Sequence, residues 1–215
     1  ISYIIILFVF LYMIFSYVEL DRLDDFLYYK ELQIFLEQMV GKNLYFNLLI
    51  FFLFSLVWVS LLGFGSPLLL ISGILFGKWI GTFISVLSIS VGSLVLYSLA
   101  SFFFKDLVYN IFEKKFLKYI YLFRKNEFNY FLAFRLAGGL GIPFGLQNIL
   151  PVLFNIKKLN YFFASFFGFI PMFFIWNTIG SGLNQYIKLS DNFSFINLLL
   201  NKEIYLPLIL FLIVM

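Results

Sequence analysis

The sequence predicts an all-α integral membrane protein: a polytopic helical bundle with two re-entrant helical hairpins and amphipathic surface helices. Three observations predict it. The chain is 63% hydrophobic and only 12% charged, well outside the range of soluble domains. Apolar runs near the ~20 residues that a helix needs to cross a bilayer recur along it. Two of those runs are broken by clustered Gly and Pro, around Pro67 and around Pro143. Non-helical backbone at membrane depth is tolerated only where protein buries it or a wet cavity faces it.

Taken in order, residues 1–18 are apolar enough for one crossing and lack the basic front and small-residue cleavage site of a signal peptide. Residues 19–43 interleave Glu19, Asp21, Arg22, Lys30 and Glu37 with Leu23, Phe26, Leu27 and Phe35 at helical spacing, which predicts an amphipathic surface helix. From 44 to 104 the sole charge is Lys78. Residues 44–62 predict one span and 79–104 another. The stretch 66–76 between them is too short to cross and carries Pro67 at its start, so a first re-entrant hairpin is expected there.

Residues 105–127 are again amphipathic, with Lys114, Lys115, Lys118, Arg124 and Lys125 set among Phe112, Phe116, Leu117, Tyr121 and Leu122. Such a basic run attracts anionic headgroups or simply forms a cytoplasmic face. Residues 128–154 repeat the earlier pattern, broken by Gly138, Gly139, Gly141, Pro143, Gly145 and Pro151, and predict a second re-entrant hairpin. Residues 159–180, with Pro171 inside, predict a further span, and an apolar run begins at 204. The sequence opens on Ile1 and stops inside that run, as a fragment would. The expected division is 1–43 (transmembrane and amphipathic helices), 44–183 (the core with both hairpins) and 184–215 (polar linker and the start of a final helix). A re-entrant element returns to its own side, so both surface helices and the pair Lys157, Lys158 are expected on one face, which the positive-inside rule makes cytoplasmic.

Composition removes whole classes of chemistry. With no Cys and no His, the chain has no disulfide, thiolate nucleophile, imidazole base or histidine-based zinc or haem site. No cofactor is expected. Every Asp lies in the surface segments, which leaves no paired aspartates for intramembrane proteolysis, and an enzyme is not expected. The net charge of +4 fits cytoplasmic loops of a membrane protein, so nucleic acid is not an expected partner.

The site candidates lie at the breaks. Arg135 stands in the stretch RLAGGLGIPFGLQN, and an unpaired charge at membrane depth is costly. It reads as a phosphate clamp, because a guanidinium fork matches phosphate oxygens bidentately. The alternative is an arginine that snorkels to the interface or is satisfied by backbone carbonyls of the broken hairpin. Pro67, Gly73 and Pro143 suggest hairpin tips where N–H groups face an anion. Gln147, Asn148, Asn177 and Thr178 are polar groups that either line a headgroup groove or hydrogen-bond between helices. Gly77, Gly81, Gly92, Gly138, Gly139, Gly168, Pro171 and Gly180 suggest hairpin geometry and close helix packing. Trp58, Trp79 and Trp176 suggest interface anchors.

The run SPLLLISGILFGKWIGTFISVLSISVGSLVLYSLA at 66–100, with FRLAGGLGIPFGLQN and then IKKLNYFFASFFGFIPMFFIWNTIGSGL at 156–183, resembles the DedA superfamily, also called VTT-domain or SNARE-associated Golgi proteins. The resemblance is closer to its Tvp and TMEM branch. Pro67, Gly73, Phe76 and Gly77 match its Pro ahead of Gly-x-x-Phe-Gly. Gly92 matches the glycine of the following helix. Arg135, Leu136, Pro143, Phe144 and Asn148 match its Arg-Leu before Pro-Phe and Asn, and Gly168, Pro171 and Gly180 its late Gly-x-x-Pro. The resemblance implies two re-entrant loops entering from opposite sides, and movement of lipids across the bilayer: phospholipid scrambling, or recycling of a polyprenyl phosphate in the bacterial cytoplasmic membrane. Its proton-coupled members carry an acid in the first hairpin; here no Asp or Glu occurs between Glu37 and Asp106, which favours passive scrambling. Expected partners are membrane lipids with phosphate-bearing headgroups, with a homo-oligomer left open. The alternative functions are a small-solute or ion transporter of the same architecture and a non-transporting membrane assembly factor.

Overall fold

A computed structural model describes residues 25–107, 109–111, 123, 125–190, 192 and 194–214. The expected span at 1–18, the start of the first amphipathic helix and most of the basic run 114–125 lie outside the described residues. Among the described residues there are helices and no strand. We number the helices α1 (Phe26–Lys42), α2 (Leu44–Ser60), α3 (Ser66–Phe103), α4 (Glu127–Leu136), α5 (Phe144–Ile149), α6 (Lys158–Leu189), α7 (Phe195–Leu199) and α8 (Lys202–Val214).

Capping sets the first boundaries. Asp25 caps α1 by accepting from Leu27 N at 2.9 Å, and Asn43 caps α2 by accepting from Phe46 N at 3.2 Å. At that junction the chain turns by 107°, so α1 lies across the direction of α2, as a surface helix must.

α3 is 38 residues long on paper, about 57 Å if straight, but it is not straight. Gly77 breaks it at φ 73°, ψ 177°, and Ser72 Oγ then lies 2.7 Å from Ser85 Oγ, 13 residues on. The chain therefore reverses at Gly77. The segment 66–76 also runs back along α2: the Phe51 and Phe76 rings are 5.5 Å apart, and Trp58 Nε1 donates to Phe64 O at 2.9 Å. Thus α2 and 66–76 are two arms of one hairpin that turns at residues 61–65. Where the sequence predicts a separate span at 44–62, the structure makes α2, about 26 Å long for its 17 residues, one arm of this hairpin. The longer straight element is 78–103.

α6 is the second long helix, with 32 residues and about 48 Å of axis. It runs antiparallel to 78–103. A Cβ on Gly81 would lie 2.5 Å from Asn177 Oδ1, while further along the Tyr97 and Tyr161 rings stack at 4.5 Å. Small residues permit this closeness: Gly180 lies against Leu70 O, and Gly92 against Leu56 O. Outward side chains such as Phe83 (62% exposed), Phe163 and Phe167 give these helices an apolar exterior suited to acyl chains rather than water.

Between the long helices α4, the turn 137–143, α5 and the 3-10 turn Leu150–Phe154 make a second hairpin. Gln147 Nε2 bonds Gly138 O at 3.2 Å and Ile142 O at 2.6 Å, which ties the returning arm to its own tip. At its base Glu127 accepts from Lys157 N (3.2 Å) and from Asn160 Nδ2 (2.5 Å), so both ends of this hairpin sit where α6 begins. The first hairpin is based at the other end, where Lys188 pairs with Glu37 of α1 at 3.1 Å. The two hairpins therefore enter the bundle from opposite ends. Placing the first surface helix and Lys157, Lys158 on one face is thus overturned, and the cytoplasmic assignment of that shared face falls with it.

Candidate functional site

The hairpins meet tip to tip. A Cβ on Gly65 would lie 3.7 Å from the Phe144 ring, and one on Gly145 would lie 3.1 Å from Leu62 Cδ2. The turn of the second hairpin is made by four consecutive positive φ values: Gly138 (62°), Gly139 (74°), Leu140 (55°) and Gly141 (75°). Three of the four are glycine because an L side chain strains there. Pro143 then caps α5 at the tip, as expected.

Just behind that tip Arg135 is buried, 2% exposed. Nη2 donates to Asn148 Oδ1 at 2.7 Å and to Tyr161 Oη at 2.9 Å. Nη1 donates to Gln147 Oε1 at 3.4 Å, and Nε to Ser165 Oγ at 3.2 Å. The guanidinium also lies over aromatic rings, 4.8 Å from the Phe131 centroid and 4.7 Å from that of Phe169, a favourable cation–π placement. Every hydrogen-bond acceptor here is neutral; no carboxylate touches the cation among the described residues. Gly168 completes the socket, since a methyl there would collide with Arg135 Cβ. Asn148 Nδ2 is buried without a hydrogen-bond partner. The snorkelling alternative for Arg135 is excluded in this conformation, because the side chain points into protein.

The remaining candidates form a second cluster. Asn177 of α6 accepts from Ser72 Oγ at 2.6 Å and donates to Phe173 O at 2.8 Å. Gly73 lies against Asn177 backbone, and Gly81 against Asn177 Oδ1. This cluster clamps the Gly77 reversal onto α6, about 18 Å along the axis from Ser165 at the helical rise. Asn177 and Gly73 are therefore not neighbours of Arg135. Pro67 sits in the first turn of α3 as the chain leaves its turn, and it opens the outbound arm. Of the hairpin-geometry and packing roles expected for Gly77, the structure shows the first: it makes the backbone reversal, and nothing lies within 4 Å of a Cβ there. Gly81, Gly92, Gly168 and Gly180 do pack.

Three residues escaped the sequence reading. Tyr161 and Ser165 share the α6 face of Gly168, and that i, i+4, i+7 stripe was the available signal. Glu203 of α8 had none: its Oε2 lies 3.2 Å from Lys78 Nζ. Glu203 thus places an acid beside Lys78, the first residue past the Gly77 reversal.

Apolar long helices, a buried cation and paired hairpins of opposite entry define a polytopic α-helical membrane protein. Residues 62–182 match the family model of the VTT domain, and the chain belongs to that family, within the DedA and SNARE-associated Golgi superfamily. The match begins at the first hairpin turn and ends two residues past Gly180, so it contains both hairpin tips and the Arg135 socket. No solved structure matches the chain.

Proposed function

We propose that the protein moves phosphate-bearing lipids across the bilayer, with Arg135 as the headgroup anchor and without an enzymatic step. The observation that carries this reading is a buried guanidinium whose acceptors are all neutral oxygens. Removing a cation from water is expensive, and neutral dipoles recover less of that cost than an anion does. The carbonyl oxygens of Gln147 and Asn148 occupy the positions that two phosphate oxygens would take in a bidentate pair. The socket is a self-occupied anion site, closed by the second hairpin's own side chains. Parting of the hairpin tips would admit a headgroup, and rotation of Gln147 and Asn148 off the guanidinium would free the fork for it, while the acyl or polyprenyl tails stay in the surrounding lipid. The Tvp and TMEM likeness and a bacterial cytoplasmic membrane belong to the same proposal.

The test is movement of a fluorescent phospholipid, and separately of a polyprenyl phosphate, in vesicles holding the full-length protein or its Arg135→Gln variant. Movement by the wild type that falls at least tenfold in the variant supports the reading. Equal rates in the two proteins would make Arg135 a structural clasp, and no movement of either lipid would refute lipid transport.

A further inference from the structure

We propose that the outer flank of the second hairpin is a binding site for one anionic, two-chain phospholipid of the leaflet at that end, held before its headgroup reaches Arg135. The flank carries an apolar groove of about 430 Å³ walled by Phe123, Ala133, Ala137, Leu140, Pro151 and Phe154. Two small residues one turn apart, Ala133 of α4 and its C-cap Ala137, create it; the stacked rings of Phe123 and Phe154, 4.0 Å apart, form one wall. At its base the groove meets a polar hollow bounded by Lys125, Asn126 and Asn129, and Tyr130 belongs to both.

The order of chemistry along this flank matches a single amphiphile. Lys125 is exposed and makes no ion pair among the described residues. The adjacent carboxylate does not neutralise it, because Glu127 is committed to Lys157 N and Asn160 Nδ2. The cation therefore stands at the hairpin base, and the apolar groove runs from it toward the tip. α4 spans 10 residues, about 15 Å, which is half of a ~30 Å hydrocarbon core and so the depth of one leaflet. A soluble peptide or a protein helix would leave this geometry unused, whereas a phospholipid fills it head to tail. The groove also touches the socket: Phe131 lines it and has the Arg135 guanidinium 4.8 Å from its ring.

The proposal rests on the lipid-transport reading for the identity of the cargo, and its test is independent of transport. Delipidated full-length protein in detergent would be given equal amounts of phosphatidylglycerol and phosphatidylcholine with the same chains, and bound lipid counted by native mass spectrometry. The expected result is one retained lipid, with about a fivefold preference for phosphatidylglycerol contributed by Lys125. Ala133→Phe and Ala137→Phe, both on the exposed flank, should each lose the bound lipid of either kind. Lys125→Gln should keep the lipid and lose the preference. Retention unchanged in both alanine variants, a preference unchanged in Lys125→Gln, or displacement of the lipid by an equal concentration of glycerol phosphate would overturn the site. Transport without retention defeats this proposal alone; retention without transport defeats the transport reading instead.

Discussion

Arg135 and Asn148 face each other across the second hairpin, Nη2 to Oδ1 at 2.7 Å, 13 residues apart in sequence. This bond joins the two arms, and Tyr161 and Ser165 extend it to α6. The same residues therefore close the hairpin and occupy the cation.

Removing Arg135 should cost stability as well as function. Arg135→Ala strips the partners from four buried polar groups and leaves a cavity, and a loss of about 3 kcal/mol or more is expected, read as a lower midpoint of thermal unfolding in detergent. Tyr161→Phe keeps the stack on Tyr97 and gives up only its hydroxyl bonds, so about 1–2 kcal/mol is expected. Equal midpoints for the two variants would show that the socket is not a cooperative network.

Two glycines should fail for different reasons. Gly168→Ala has ordinary helical backbone but collides with Arg135 Cβ, an overpacking expected to cost about 1–3 kcal/mol. Gly77→Ala has open space but sits at φ 73°, ψ 177°, a region that only glycine visits readily, at about the same cost. Gly41→Ala, in α1 with nothing within 4 Å, should be neutral or stabilise by up to about 1 kcal/mol. Thermal midpoints of the three variants check all these expectations.

The pair Lys78–Glu203 is a weak latch. Both side chains are 36% exposed, so a double-mutant cycle with Lys78→Gln and Glu203→Gln should return a coupling of about 1 kcal/mol or less. A coupling several times larger would mark the junction of α8 with the Gly77 reversal as a structural anchor.

The absence of cysteine permits a clean test of the tip contact. A Cβ on Gly145 would stand 3.8 Å from Leu62 Cβ, inside the range a disulfide requires. The double variant Leu62→Cys with Gly145→Cys should crosslink under mild oxidation and run as a compact species on a non-reducing gel. Failure to crosslink would contradict the tip-to-tip meeting.

The second hairpin was legible because its causes are local: four glycines, a proline and a charge inside an apolar run leave few alternatives. The first was half legible. Residues 44–62 have the length and hydropathy of a span, and what makes them an arm is the meeting of Leu62 and Gly65 with Gly145 and Phe144, a contact over some eighty positions that no local pattern encodes. The one-face assignment failed for the same reason: it took 44–62 as a crossing, and with those residues as a hairpin arm α1 and the base of the second hairpin fall at opposite ends of α6. Within the socket, Arg135, Gln147 and Asn148 announced themselves as polar residues in apolar surroundings. Tyr161 blended into an aromatic-rich helix, and Glu203 lay outside every segment that the motifs marked.

The most direct test is transport by the Leu62→Cys, Gly145→Cys protein, with labelled phospholipid movement followed in vesicles before and after oxidation. If the hairpins must part for Arg135 to take a headgroup, movement should stop in the crosslinked protein and return on addition of reductant. Movement at the same rate in both states would contradict the account, because the lipid would then cross with the tips held together.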